Sequence, residues 1–281
     1  MNKLNISIRE AQRFIDRARV YQDGLPILEK NAIVQGPVEI VVYEPSSRGL
    51  TPLFEEDDFA LFNKPSNVLV HPTSRQCDYS LLDEILHLFG PNAHIVHRLD
   101  RETSGLIMVA KNKESEVILK QLFEKRKVQK SYLALVRGEL INGMDIDAPL
   151  LNNQSYGNLK QRMLIDENGK PSSTQIVPLK FWPEYNISLV EAFPHTGRQH
   201  QIRAHLFHVK HPILGDPIYG VPLKISEAYL DGNLSHEERI LHMGAQRLML
   251  HAHTLSFTFK EKNYYFRSGV GNLFYPDGGM L

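Results

Sequence analysis

Apolar positions along the chain recur with two periods. At residues 7–19, Ala11, Phe14, Ile15 and Ala18 follow helical spacing, and Arg9, Arg13, Arg17 and Arg19 make the predicted helix basic. Val20-Tyr21 reads as a strand turned by Asp23-Gly24, and Val38 to Tyr43 as another. Pro45 to Pro52 is polar and rich in turn formers, the pattern of a linker. Phe59 to Pro65 and Val68 to Pro72 read as two short strands around a turn at Ser66-Asn67. Residues 80–89 predict a helix with Leu81, Leu82, Ile85, Leu88 and Phe89 on its apolar side, stopped by Gly90-Pro91. Val96 to Lys111 is extended and apolar, breaks into a charged turn, and resumes as a second apolar run. Asn112 caps a helix to about Lys127, with Val117, Ile118, Leu122 and Phe123 inward. Lys130 to Gly138 is a strand closed by glycine, and Ile187 to Ala192 is another. Residues 139–178 are turn-rich, with short strands whose limits the pattern does not fix. Thr196 and Gln199 have capping-box spacing and predict a helix start there, with Ile202, Leu206 and Val209 as its buried stripe and Pro212 as its end. Leu248 to Phe259 alternates as a strand. Strand runs outnumber helices and no regular βαβ alternation appears. The fold class is therefore α+β, a large, mostly antiparallel sheet with flanking helices.

At 281 residues the chain holds one large domain with an appendage, or two modest domains. Formal net charge is zero, which argues against an indiscriminate nucleic-acid binder. The acidic run Glu55 to Asp58 and the basic run Lys125 to Lys127 are segregated patches or solvated faces. No window has the uncharged apolar length of a membrane span, and the N-terminus has no signal-peptide pattern. Cys77 is the only cysteine, so no intrachain disulfide or cysteine zinc cluster is expected, and the default setting is cytoplasmic. His195, His200, His205, His208 and His211 cluster in sequence but lack the HExxH arrangement, and one helix cannot aim all five at one point. Packing and hydrogen-bonding roles are expected of them, and no metal.

The stretch around which the chain is organised is Val96-His97-Arg98-Leu99-Asp100-Arg101-Glu102-Thr103-Ser104-Gly105. If extended before the turn, alternation puts Arg98 and Asp100 on one face and His97 and Leu99 on the other. Thr103 and Ser104 tie the turn to its own backbone, and Gly105 supplies a permissive torsion. Arg-x-Asp spacing alone describes an ordinary surface ion pair. The whole string, however, resembles the motif of the RluA family of RNA pseudouridine synthases, His-Arg-Leu-Asp-x-x-Thr-Ser-Gly. Further stretches match the family in the same order: Lys130 to Gly138, Gly169 to Thr174, Pro194 to His205, His211 to Gly220 and Leu248 to Phe259. The resemblance covers roughly residues 53–259. It departs at Asn67, where the family has glycine nearby, and at Lys260-Glu261, where the family has His-Pro. The order of elements in residues 1–45 resembles the latter part of an S4 RNA-binding domain without its first helix; a small capping subdomain is the other reading. The expected division is thus a small S4-like subdomain at 1–45, a linker at 46–52 and a catalytic domain at 53–281.

The resemblance implies an enzyme that converts a uridine in folded RNA to its C5-linked isomer, on a bent sheet crossed by a cleft. It implies Asp100 as the catalytic residue, either adding to C1′ as a nucleophile or abstracting the C2′ proton. Arg203 is implied as its ion-pair partner and Tyr132 as the residue against the base; without the resemblance Tyr132 is a half-buried strand tyrosine. Arg98 is implied in the space left by a flipped-out base. Further substrate contacts are expected from His97, Thr103, Lys64, Arg198 and His200; Lys64 could meet a phosphate, although a lysine at that place more often simply caps a turn. The chemistry is an isomerisation and requires no redox cofactor or metal. The expected partner is structured RNA, ribosomal RNA before transfer RNA, and the expected state is a monomer with no membrane association. Two other classes compete. An RNA-binding or ribosome-assembly factor that had lost catalysis would not need all four functional positions, and a hydrolytic glycosidase would release free uracil.

Overall fold

Side-chain caps at Ser80, Asn112 and Ser235 set the starts of the helices Leu81–Phe89, Lys113–Glu124 and His236–Met243. The computed structural model of the chain describes residues 7–41, 44–72, 78–152 and 162–269. They fall into two units, Met1–Pro45 and Ser46–Leu281. In the first unit, helix α1 (Ile8–Asp16) ends short of residue 19 because Ala18 turns left-handed, with φ 50°. Strands β1 (Val20–Gln22) and β2 (Leu25–Pro26) pair across Asp23-Gly24, both at positive φ as a tight hairpin requires. Strand β3 (Glu39–Ile40) pairs with β1 and is shorter than the expected 38–43; Val42 and Tyr43 lie outside the described residues, as does Cys77.

The second unit runs β4 (Phe54–Glu55), β5 (Phe59–Lys64), α2 (Leu81–Phe89), β6 (His94–Ile95), β7 (Ser104–Ala110), α3 (Lys113–Glu124), β8 (Gln129–Arg137), β9 (Met144–Asp147), β10 (Leu150–Asn152), β11 (Met163–Ile165), β12 (Ser173–Trp182) and β13 (Ile187–Pro194). It continues with α4 (Gln201–His208), α5 (Leu223–Leu230), α6 (His236–Met243), β14 (Leu250–Phe259) and β15 (Lys262–Arg267). One mixed sheet has the order β4-β5-β7-β14-β8-β13-β12-β9, with β6 on β7 and β15 on β14. Its described pairings are antiparallel except β7 with β14. The architecture is the α+β class read from the sequence. Among the described residues no helix is long and apolar enough to cross a membrane.

Phe59, Ala60, Leu61 and Phe62 are all fully buried because β5 is covered on both faces. Phe59 and Leu61 pack with Met108, Leu119 and Phe257 on the α3 side, and Ala60 and Phe62 pack with Leu81, Ile85 and Ile107 on the α2 side. Asp83 Oδ2 accepts bonds from the Ser80 N–H and hydroxyl, and Gly90 at φ 79° ends α2. Asn112 Oδ1 accepts the Ser115 N–H at 2.8 Å and starts α3 where expected. The inward face of α3 is Ser115, Ile118, Leu119, Leu122 and Phe123; Val117, expected inward, is 48% exposed because it lies on the opposite side of that stripe.

Two expectations change in character. The strand expected at 68–72 reduces to a bridge between Leu69 and Ser80, because the chain curls to present the Pro65 and Val68 carbonyls to Lys64. The acidic run is a solvated face rather than an unneutralised acidic patch: Glu55, Glu56 and Asp58 pair with Lys111, Lys262 and Lys260 at 2.6, 2.6 and 2.8 Å. Lys260 and Glu261, at φ 46° and 64°, form the two-residue turn into β15.

The parallel contact is close. Gly105 sits at φ 107°, and a Cβ on it would lie 2.2 Å from the Ala252 carbonyl oxygen. Gly105→Ala is expected to destabilise the protein by about 3 kcal/mol, because both the torsion and the strand separation must change. A thermal melt checks this; an unchanged midpoint would mean that β7 and β14 part without cost.

Candidate active site

Residues 96–103 are irregular, since β6 stops at Ile95 and β7 begins at Ser104. The strict alternation expected there is therefore absent. His97 stacks on Phe123 with centroids 4.4 Å apart, and its Nε2 accepts the Met108 N–H at 2.9 Å. Leu99 packs instead in the cluster with Phe62 and Leu81. Arg98 is exposed, while the Asp100 side chain is 26% exposed. The Thr103 N–H closes the turn on the Asp100 carbonyl at 3.2 Å, and the Ser66 hydroxyl donates to the Glu102 carbonyl at 2.6 Å.

Lys64 does not reach the cleft. It is fully buried, and its ammonium donates to the carbonyls of Pro65, Val68 and Arg101 at 2.8, 2.9 and 2.9 Å. The expected phosphate contact is thus replaced by an internal latch behind the 96–103 loop. Burial pulls this lysine down to about 7, opposed by the charges of Asp100 and Glu102.

The second half of the site comes from α4. The helix begins at Gln201, later than the capping-box spacing suggested, because His200 is left-handed at φ 52°. The Thr196 hydroxyl and the Arg198 N–H donate to Gln201 Oε1 at 2.6 and 3.0 Å, so the side chain that closes the cap is Gln201 and not Gln199. One turn further, Arg203 is 4% exposed. Its Nη1 donates to Asp100 Oδ2 at 2.9 Å, and its Nε and Nη2 donate to Asp216 at 2.7 and 2.8 Å. Asp216 also accepts the N–H groups of Ile218 and Tyr219 at 2.8 and 3.0 Å. The Tyr219 ring lies 5.3 Å from the guanidinium carbon.

The resulting charges are ordered. Burial opposes charge on Arg203, and Asp216 and then Asp100 override it. Burial also raises the Asp100 carboxyl, but His200 in its protonated form, Arg203 by charge and direct hydrogen bond, and Lys64 outweigh it and hold the group below the usual carboxylate range. His200 Nε2 is 3.8 Å from Asp100 Oδ2. Burial and then Arg203 push His200 down to about 4, so it is neutral at pH 7 and Arg203 carries the attraction. His97 is likewise pushed down to about 3 by burial and Lys130. The Tyr132 phenol is pushed up by burial and by Asp100, which keeps it a proton donor.

An open cleft of about 1290 Å³ brings Arg98, Asp100, Thr103, Tyr132, Arg198, His200 and Arg203 together, with His97 in its wall. Arg126 and Lys130, not singled out from the sequence, line it as well. Lys130 opens a recognised motif and Arg126 lies in the basic run, so a signal for both was present. Asp216 was also missed. Its signal was an acid set among Ile213, Leu214, Ile218 and Tyr219, an apolar neighbourhood where a carboxylate needs a partner. The histidines disperse: His205 lies between the Thr174 hydroxyl and the Ala148 carbonyl, and His211 faces the Arg137 carbonyl. Among the described residues no group of three or more His, Cys, Asp or Glu is arranged to hold a metal ion. The cleft thus offers an ionised carboxylate aligned by a guanidinium, a protonated phenol, a neutral imidazole and basic walls. That set suits nucleophilic or acid–base chemistry on a polyanion.

Residues 58–208 match the family model described as RNA pseudouridylate synthase. A protein of Helicobacter pylori strain J99, named an uncharacterized RNA pseudouridine synthase, is 40% identical over 97% of this chain and 91% of its own length. A ribosomal large subunit pseudouridine synthase D of Haemophilus ducreyi is 32% identical over 83% of this chain and 72% of its own. A tRNA pseudouridine synthase C of Pasteurella multocida is 36% identical over 73% of this chain and 84% of its own. The solved structure of human RNA pseudouridylate synthase domain containing 1 superposes with a TM-score of 0.65 at 28% identity, covering 84% of this chain and 89% of that one.

Proposed function

The chain belongs to the RNA pseudouridylate synthase family, of the RluA type, and from that premise we propose that its isomerisation turns on Asp100. The enzyme breaks the C1′–N1 bond of a uridine, turns the uracil and joins C5 to C1′. The C5 proton leaves, N1 gains one, and the composition is unchanged. Breaking the glycosidic bond builds positive charge on the sugar, for which a carboxylate is the natural partner. Addition to C1′ and proton abstraction from C2′ both need Asp100 ionised. The observation that carries the reading is the 2.9 Å pair between Asp100 and Arg203 in an open cleft, with Arg203 fixed from behind by Asp216.

The other cleft residues take roles around that pair. Tyr132 lies against the base and donates from its phenol. Arg98, exposed beside Asp100, enters the space left by the flipped nucleotide, at a cost to the RNA of a few kcal/mol. Thr103 and His200 shape the pocket floor, His97 its wall, and Arg198 meets a phosphate. Lys64 supports the loop from behind rather than touching RNA. We infer ribosomal RNA as the substrate, in keeping with the relative named for the large ribosomal subunit; the relative named for transfer RNA makes transfer RNA the other outcome of the test. Residues 1–45, whose α1 carries Arg9 and Arg13, serve as an S4-like RNA contact joined by a 46–52 linker to the catalytic domain at 53–281. The protein is read as a cytoplasmic monomer.

Pseudouridine mapping across all RNAs of a strain lacking this protein tests the reading, with rescue by wild type or Asp100→Asn. One or a few uridines should lose the mark and regain it with wild type alone. Rescue by both forms, or no lost site, would leave Asp100 without a catalytic role.

A further inference from the structure

The loop that carries Asp100 and the loop whose Asp216 fixes Arg203 are held together by two residues outside every recognised motif, Tyr229 and Arg239. Glu102, two positions after Asp100, is 6% exposed. Its Oε1 accepts the Tyr229 hydroxyl of α5, and its Oε2 accepts Arg239 Nη2 of α6 and the Leu248 N–H at 3.0 Å. The same Arg239 Nη2 donates to the Gly215 carbonyl at 3.1 Å, one residue before Asp216. The guanidinium carbon of Arg239 lies 5.0 Å from the centre of the Tyr229 ring. Gly215 is packed directly against the backbone of Arg247: it sits at φ 73°, and a Cβ there would lie 1.7 Å from the Arg247 carbonyl oxygen, so only glycine fits. One nitrogen therefore ties the Asp100 loop to the loop whose Asp216 orients Arg203.

We propose that Arg239, assisted by Tyr229, is a positioning residue that sets the separation of Asp100 and Arg203 by clamping Glu102 to Gly215. The α5–α6 segment is then part of the catalytic apparatus, although neither residue touches the cleft. This rests on the reading of Asp100 and Arg203 given above. Without the clamp the Glu102 loop is free to move, and about 1 Å of misplacement costs up to about 100-fold in rate. Asp100 is faced by Arg203 from α4, His200 at the N-cap of α4, Lys64 from β5 and Tyr132 from β8, with Glu102 on its own loop. Loosening Arg203 and releasing Glu102 both raise the Asp100 carboxyl, so the acid limb of the rate should move upward in pH.

The test is single-turnover pseudouridine formation by the full chain across pH, with the KM for RNA and a thermal melt for each variant. Arg239→Ala should lower kcat about tenfold or more, leave KM within about twofold and shift the acid limb up. Arg239→Lys should recover part of the loss, because a single nitrogen makes both bonds. Tyr229→Phe removes one hydroxyl without changing charge, and should shift kcat and the limb in the same direction by less. If Arg239→Ala fails to fold, Tyr229→Phe decides. A kcat within twofold of wild type and an unmoved acid limb, in whichever of the two variants decides, overturns the proposal. Asp100→Asn run alongside separates the layers. If it is inactive while the clamp variants behave as wild type, only the clamp falls; if it is active, the reading of the ion pair falls and the clamp with it.

Discussion

Purified Asp100→Asn protein is expected to form pseudouridine at least about 1000-fold more slowly than wild type, with its affinity for substrate RNA changed less than about threefold. An amide can neither add to C1′ nor accept a proton, whereas loss of one positioned acid–base group costs about 10²- to 10⁴-fold. The substitution is nearly isosteric and Arg203 keeps both bonds to Asp216, so the floor of the cleft should persist. On the proposed mechanism the reacting form in wild type is the carboxylate, and its pKa is held below the usual range. Activity should therefore be present at neutral pH and be lost only as pH falls through that lowered value. The same depression contributes stability above the unfolded pKa of an aspartate and is lost on acidification. Rapid-quench kinetics together with equilibrium RNA binding separate the two effects. Full turnover by the amide would assign the chemistry elsewhere.

Asp216→Asn should unfold more easily by about 3–5 kcal/mol, although the residue lies behind the reacting groups. Its side chain is fully buried and accepts four N–H groups, two of them from a guanidinium. An amide presents an N–H₂ to one of those donors and leaves Arg203 with a single carboxylate. Removing one member of a buried ion pair costs about 3–5 kcal/mol because the other charge stays behind. At about 2–4 °C per kcal/mol for a chain of this size, the melting midpoint should fall by on the order of 10 °C. Turnover should also fall, as Arg203 gains freedom to leave Asp100. Calorimetry beside the activity assay reads both. A midpoint within 2 °C or so of wild type would mean that Arg203 holds its place without this anchor.

How far the molecule was legible depended on whether each feature was local. Asn112 and Gly90 act on residues within one turn of themselves, and each lies where the sequence put it; the turn at 100–103 forms as expected, but the alternation before it does not, because its side chains answer to distant partners. The helix carrying Arg203 was expected too early, because Thr196 is a good cap in either register and only the packed structure shows Gln201 filling it. Val117 and Lys64 illustrate the cost of reading side chains without neighbours: one apolar residue faces solvent, and one lysine spends its donors on three carbonyls. The ion pair was reached by resemblance, since its members are 103 positions apart and no periodicity links them. Helices α5 and α6 and strand β15 went unread. Lys260-Glu261, noticed only as a departure, turns out to be the turn that allows β15 to form.

The parallel step between β7 and β14 also bears on the order in which the molecule comes together. Strands β4 to β7, with α2 and α3, draw on one short span of chain, whereas Ser104 meets His251 across 147 positions. Closing so long a loop has an entropic cost that local pairing escapes, and such contacts form late. Asp100 lies in the locally paired span, and Arg203 lies beyond it in the chain. A chain that has folded only its first half therefore carries the acid without its cation. On the proposed mechanism, catalytic competence is then a property of the completed sheet, acquired when its long-range seam closes.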